Sequence, residues 1–550
     1  MKYRILLALF ILFTQELISQ TLPNGDLPSR ADTLRGSITP EREWWDLLHY
    51  DLTVEINTKN KSIKGINTII YKVLKSEKLM QIDLQEPLKI KSVKQDGKKL
   101  KYKREGNVYF ITLISDQIVE SQKQITIQYS GKPRKARMAP WDGGFSWSTD
   151  KNNKDFIATS CQGLGASVWW PCKDHMYDEP DSGIVITSIV PKDLIAVANG
   201  RLINNGEKCN KASFTWEVKN PINNYGVNLN IGDYENFSEV YNGEQGNLDM
   251  DYWVLKDNLE IAKVQFKDAK KTMQAFEYWF GPYPFYEDSY KLVEVPYLGM
   301  EHQSSVTYGN GYKNGYLGRD LSGTGWGKKF DFIIVHESGH EWFANNITYK
   351  DIADMWLHES FTCYSEALFL EYHYGKKAGA EYIRGIRKNI ENKAPMISRY
   401  GINESPPSDI YYKGSNMMHT LRQITWSDVK WREMLRGLNE EFRHQTVSTE
   451  EIETYIATFL NLNLDSFFNQ YLRDNRIPTL SYYLVNDTLF YKWTNCIDGF
   501  DMPVKIITGN KQYVLSKFKN GEYSSMKIDT SIVKIELDPN YYVNLKKGKP

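Results

Sequence analysis

His336 and His340 stand four residues apart in the stretch HESGHEWFANN, and Glu359 follows 18 residues after the second of them. Four residues of helix turn through about 400°, so both imidazoles would lie on one face, one turn apart, able to grip a single ion. Two ring nitrogens and a carboxylate suit one Zn2+ ion, which takes N and O donors tetrahedrally and keeps a fourth position for water. No further side chain of the same helix could close the tetrahedron. The third ligand must come from a second element: Glu359 is the choice, and Glu366, seven residues further on, is its nearest competitor. Chance is a weak explanation for the pattern. Nine histidines in 550 residues would give about 0.15 pairs at this spacing, and about 0.02 once an acid must follow the first. That acid, Glu337, points too far round the helix to share the ion. It is placed instead to take a proton from water attacking a carbonyl and to return it to the departing amine.

Such a site needs two helices laid side by side. Apolar Phe332 to Val335 runs straight into His336, and no Gly or Pro intervenes before Gly339, which predicts a helix through 336–344. A loop and a second, antiparallel helix over 356–374 would then deliver Glu359. Upstream, Ala262, Phe266, Ala269, Met273, Phe276 and Phe280 recur at three and four, drawing one helical stripe that Gly281-Pro282 stops. The glycine-rich stretch 308–327 lacks the Gly-Lys-Ser/Thr ending of a phosphate-binding loop and reads as a surface loop beside a cleft. From about 40 to 240 the period is two, as in Tyr50, Leu52, Val54 and Ile56, with an Asp96-Gly97 hairpin turn. Strands return after Pro478, with a Gly509-Asn510 turn and alternating Val533, Ile535 and Leu537. The fold class is therefore multi-domain α+β. Residues 21–243 form an N-terminal antiparallel β-domain, 244–476 a mainly helical catalytic domain, and 477–550 a small C-terminal β-sandwich.

Composition narrows the partners. Lys plus Arg and Asp plus Glu number 68 each, so no net field would draw the chain to nucleic acid or an anionic membrane. Lys2 and Arg4 precede nine apolar residues and a polar tail, the pattern of a signal peptide over 1–20, and an exported chain, periplasmic or extracellular, is expected. No later apolar run reaches the roughly 20 residues a transmembrane helix needs. The five cysteines form no C-x-x-C pair; Cys161 and Cys172 could join in an exported chain.

HESGHEWFANNITYKD followed by WLHESF resembles the H-E-x-x-H, 18 residues, E signature of the gluzincin aminopeptidases, the family of aminopeptidase N and leukotriene hydrolase. The resemblance implies a thermolysin-like catalytic domain and gives the third ligand to Glu359. PYLGMEH, 296–302, is similar to the family's G-x-M-E-N motif, with Leu298 in place of the first glycine and His302 in place of the asparagine. It implies that Gly299, Met300 and Glu301 line the substrate cleft, Glu301 holding the free amino terminus. Tyr411-Tyr412-Lys413-Gly414 resembles Tyr-Glu-Lys-Gly, whose first tyrosine donates to the oxyanion, which implies Tyr411. TSCQG, 159–163, followed by WPCKD, 170–174, resembles an N-terminal segment whose glutamine touches the substrate's amino end, implying Gln162.

The role implied for Glu301 has a physical consequence. A peptide's α-amino group has a pKa near 8 and is mostly ammonium at neutral pH. An internal segment offers no such charge and would leave a desolvated carboxylate unpaired, a loss of about 3 to 5 kcal/mol. The expectation is a zinc aminopeptidase acting on peptides with a free amino terminus. The competing readings are a thermolysin-like endopeptidase and a catalytically silent peptide-binding relative.

Overall fold

The computed structural model describes residues 25–529 and 534–549; the leader expected at 1–20 lies outside them, as does Val533. The strand Trp45–Asn57 buries Tyr50, Leu52, Val54 and Ile56 on one face, as their alternation predicts. It belongs to an eight-stranded sheet, antiparallel to Ser62–Val73 but parallel to Ile184–Pro191. The expected antiparallel sheet thus carries one parallel pair, because the chain builds several other strands before returning to that edge of Trp45–Asn57. Asp96 and Gly97 both take positive φ, 48° and 75°, and turn the hairpin between Lys89–Gln95 and Lys98–Lys99. A four-stranded sheet containing Gly144–Thr149 and Asp155–Ser160 leads directly into Gln162.

The sheet beside the site is five-stranded, in the order Tyr234–Gly243, Gly246–Leu255, Tyr290–Glu294, Val306–Tyr308, Gly299–Met300. It opens at Tyr234, ahead of residue 244, because the hairpin 234–255 pairs with Tyr290–Glu294 and not with the N-terminal sheets. Helices α1 (Lys267–Phe280) and α2 (Phe332–Gly339) pack against it, and behind them α3 (Trp356–Tyr374) packs on both and on α4 (Asp409–Thr425). The stripe from Ala262 to Phe280 is buried throughout, yet it spans two helices. Leu259–Gln265 ends at Phe266, and α1 begins at Lys267. Gly281, at φ 94°, closes α1 as expected.

α3 covers the residues expected of it, and 356–370 are all buried, so it is the central post of the helical layer. α2 and α4 both approach it through glycine. A Cβ on Gly339 would fall 2.6 Å from Ser365 Oγ, and one on Gly414 only 1.8 Å from Ser360 Oγ. Beyond α4 the helices continue to Leu472. Two small sheets then follow, one around Thr479–Val485 and Thr488–Thr494, the other around Val504–Thr508 and Lys511–Leu515. Their buried Leu480, Trp493, Val504 and Ile506 make the sandwich core. Gly509-Asn510 supplies the expected turn. No disulfide forms among the described residues, where Cys161 and Cys172 are both buried free thiols.

Candidate metal centre and active-site cleft

Asp331 caps α2, its side chain accepting from the Ile333 amide at 3.2 Å, and Tyr308, Gln265 and Asn310 hold that carboxylate in turn. The start of the helix is therefore fixed, and with it the direction of His336. His336 and His340 stand with ring centroids 5.0 Å apart and planes nearly perpendicular, at 85°. The helix does not run on to 344. It stops at Gly339, His340 occupies the cap, and Glu341–Asn345 forms a π turn in which Phe343 and Ala344 leave helical geometry. The break has a use: it frees the Phe343 carbonyl to accept from His340 Nδ1 at 3.0 Å. His336 Nδ1 donates to Glu366 Oε1 at 2.7 Å. Each imidazole, with its Nδ1 hydrogen engaged, turns an Nε2 lone pair to the same point.

Glu359 faces that point. Its Oε2 lies 3.8 Å from His336 Nε2 and 3.5 Å from His340 Nε2. The competitor Glu366 is therefore the hydrogen-bond partner that orients His336, and its other oxygen accepts from the Tyr382 hydroxyl. Glu359 is 1% exposed, yet its Oε2 has no hydrogen-bond donor. An unpaired buried carboxylate oxygen costs several kcal/mol. The ligand atoms of His336, His340 and Glu359 lie within 4.8 Å of one another, so the three fit a single tetrahedrally held divalent ion. Burial is the largest influence and would depress both imidazoliums, but the surrounding carboxylates together outweigh it, Glu359 and Glu366 foremost at His336 and Glu359 and Glu301 at His340, and each pKa rises. The cluster is short of positive charge.

The remaining expected residues gather around this point in a cleft of about 380 Å3. Glu301, Glu337 and His340 bring side-chain atoms within 4.8 Å of one another. Burial pushes the Glu337 carboxyl up to about 7, against the pull of His336. Gln162 Nε2 bridges two acids, donating to Glu301 Oε1 at 2.5 Å and to Glu359 Oε1 at 3.1 Å. Glu301 is 3% exposed, and no Lys or Arg pairs with it among the described residues. Tyr411 lies over His336, centroids 6.3 Å apart. Burial, then Glu359 and Glu301, hold its phenol well above the usual range, so it stays a donor, while Tyr412 turns toward Cys363 and Glu366. Gly299 and Met300 line the cleft; a Cβ at Gly299 would sit 2.5 Å from Ile333 Cγ2 on α2.

The motif departures are both accommodated. Leu298 simply joins the cleft wall, and His302 is buried, its Nδ1 3.2 Å from Thr307 Oγ1 and its pKa lowered by burial to about 3. A part of the site that sequence reasoning missed is the support behind Glu301. The Asn345 amide donates to the Glu301 carbonyl at 3.0 Å, and Glu341 accepts from the Ser304 amide, also at 3.0 Å. Asn345 and Glu341 both belong to the π turn, which a helical reading of 336–344 hides.

A model described as the peptidase family M1 domain matches residues 264–471, and one described as the peptidase M1 N-terminal domain matches 47–225. The chain belongs to peptidase family M1. Among M1 relatives it is similar to aminopeptidase N of Lactobacillus helveticus, 23% identical over 477 residues, covering 80% of this chain and 52% of that protein. It is also similar to probable aminopeptidase 1 of Sulfurisphaera tokodaii, 20% identical over 479 residues, covering 82% and 56%. The chain spans about half the length of these relatives. The fold is that of the M1 zinc metallopeptidase from Deinococcus radiodurans, with a TM-score of 0.68 at 19% identity, covering 79% of this chain and 96% of that one.

Proposed function

We propose that this M1 chain is a zinc-dependent aminopeptidase that removes the N-terminal residue from peptides. The observation that carries the reading is Glu301: a buried carboxylate without a cationic partner among the described residues, held by Gln162 in the same cleft as the histidine pair. An ammonium group placed there would supply the missing charge. The relatives named aminopeptidase N and probable aminopeptidase 1 support the reading, as does a D. radiodurans M1 zinc metallopeptidase mutant solved with a Tyr-Ser-Ala substrate.

His336, His340 and Glu359 would hold the zinc, which when bound supplies Lewis-acid polarisation of the scissile carbonyl and a lowered pKa for water. The chain's own residues do the rest. Glu301 and Gln162 fix the substrate ammonium, which sets the first peptide bond against the histidine pair. Glu337 takes the proton of the attacking water and delivers it to the departing amine nitrogen. Tyr411 donates to the carbonyl oxygen as negative charge develops there.

The test compares a free-amine dipeptide with its N-acetylated form, with and without a chelator. Cleavage of the free form alone, lost on chelation and restored by zinc, is the expected result. Preference for the blocked form would replace the aminopeptidase by an endopeptidase. The N-terminal run Lys2 to Phe13 supports export, and sequencing the mature amino terminus from fractionated cells tests it.

A further inference from the structure

Residues 25–37 lie outside both stretches matched by the family models. They make a short helix, Arg30–Gly36, started by a reciprocal cap between Ser29 and Asp32. This arm holds two regions of the chain at once. On the N-terminal side, the Arg35 guanidinium donates to the Asp174 carbonyl and stands 3.3 Å from the Asp174 carboxylate. That carboxylate accepts in turn from the amides of Ala166 and Ser167 at 3.3 and 3.0 Å, which fixes the turn that follows Gln162.

On the catalytic side, the Asp32 carbonyl accepts from the Asn403 amide at 3.3 Å, and the Gly25 amide donates to Glu404 Oε1 at 2.9 Å. Glu404 is 2% exposed, and Arg399 also holds it, through its backbone amide at 3.1 Å and its guanidinium at 2.7 Å. The same guanidinium reaches back to the Asp26 carbonyl. Asn403 closes the circuit, its side-chain amide donating to the Gly163 carbonyl at 3.4 Å, next to Gln162. The fit is tight: a Cβ on Gly36 would fall 2.2 Å from the Asn403 nitrogen. Residues 390–408 contain no helix or strand, and so long a loop has few ladder bonds of its own to keep its shape. Tyr400 and Gly401 anchor its middle on Asp354 and Asp351; the arm holds the stretch that follows. That stretch runs into α4 at Asp409, two residues before Tyr411.

We infer that residues 25–37 are a clasp that positions Gln162 and Tyr411 across the cleft, with Asn403 and Glu404 as its seat. The inference rests on the aminopeptidase reading, in which Gln162 steadies the ammonium anchor and Tyr411 meets the carbonyl oxygen. One arm thus sets the spacing between the group that holds the chain end and the group that meets the developing charge. None of its residues lines the cleft, yet a displacement of about 1 Å at such a pair costs about 100-fold in rate.

Gly36→Ala keeps the helix and forces the arm off Asn403, which makes it the first test. On the zinc-loaded full chain it should lower kcat/KM for leucyl amide about 10- to 100-fold, with KM rising as kcat falls. Zinc content should be unchanged, and inhibition by acetohydroxamate, a metal binder without an amino group, should stay within a few-fold. Glu404→Ala should act in the same direction, and Glu404→Gln, which keeps an acceptor for the Gly25 amide, should recover most of the activity. A merely structural role would lower zinc content and acetohydroxamate binding in step with turnover. That result, or unchanged kcat/KM in both Gly36→Ala and Glu404→Ala, would overturn the clasp while leaving the aminopeptidase standing. If the wild type cleaves no amide, the aminopeptidase reading fails, and hydrogen exchange still reads the clasp. Gly36→Ala should speed exchange in 163–168 and 399–411 together, and a change confined to 25–37 would end the proposal.

Discussion

Replacing Glu366 by glutamine separates an orienting carboxylate from a ligand. The His336 Nδ1 to Glu366 Oε1 distance of 2.7 Å is that of a charge-assisted bond. Glutamine keeps an acceptor in the same place and presents an amide to Tyr382, whose hydroxyl can rotate to accept it. Only the charge is lost. Hydrogen bonds to charged groups contribute about 1.5–3 kcal/mol and neutral ones about 0.5–1.5, so the cost is about 1–1.5 kcal/mol. Zinc affinity should therefore fall about 5- to 13-fold, at or just below the lower end of the 10- to 100-fold loss typical of such outer partners. Competition against a chromogenic chelator measures this directly. At saturating zinc the variant should keep most of its kcat. Glu359→Gln, which removes the oxygen facing both Nε2 atoms, should lose far more affinity. If Glu366→Gln abolishes zinc binding as fully as Glu359→Gln does, Glu366 is a ligand and the assignment above is inverted; an unchanged affinity would remove its orienting role.

Glu337→Gln should lower kcat by about two to four orders of magnitude while elemental analysis finds the same zinc content, and retained turnover would exclude Glu337 as the proton carrier. Tyr411→Phe should cost about 2.7–4 kcal/mol in kcat; Tyr412→Phe should stay within a few-fold, and the reverse order would shift the oxyanion donor by one residue. Gly414→Ala drives a Cβ to within 1.8 Å of Ser360 Oγ, so calorimetry should show a loss of about 1–3 kcal/mol from overpacking, and an unaltered midpoint would mean that α3 and α4 are not packed as described. Zinc at 1,000 times its Kd should stabilise the chain by about 4 kcal/mol, read as a concentration-dependent thermal midpoint.

The metal grip was legible in the sequence because histidines four apart have one consequence on a helix, and because α3 carries no Pro or Gly to disturb 356–374. The break after Gly339 was not. Residues 340–344 have ordinary helical propensity, and what ends the helix is tertiary: Glu341 is drawn to Ser304 and Tyr283, and Asn345 to Glu301. Glu366 showed the same limit. Spacing placed it on the right face of the second helix, but its competition with Glu359 could be decided only by seeing which carboxylate meets Nδ1 and which meets Nε2. In the N-terminal sheets, alternation gave the buried faces correctly and said nothing of strand order, so the parallel pairing of Trp45–Asn57 with Ile184–Pro191 was hidden.

The bridge made by Gln162 joins two regions of the chain that are made at different times. Its amide comes from the stretch matched by the N-terminal family model, whereas Glu301 and Glu359 come from the stretch matched by the second. A fragment beginning after residue 243 would still own every metal-gripping side chain, yet nothing would steady the carboxylate that distinguishes a chain end from a chain middle. Under the aminopeptidase reading, losing the first region would leave Glu301 in place without its amide donor, so the hold on a free chain end depends on the two regions staying docked.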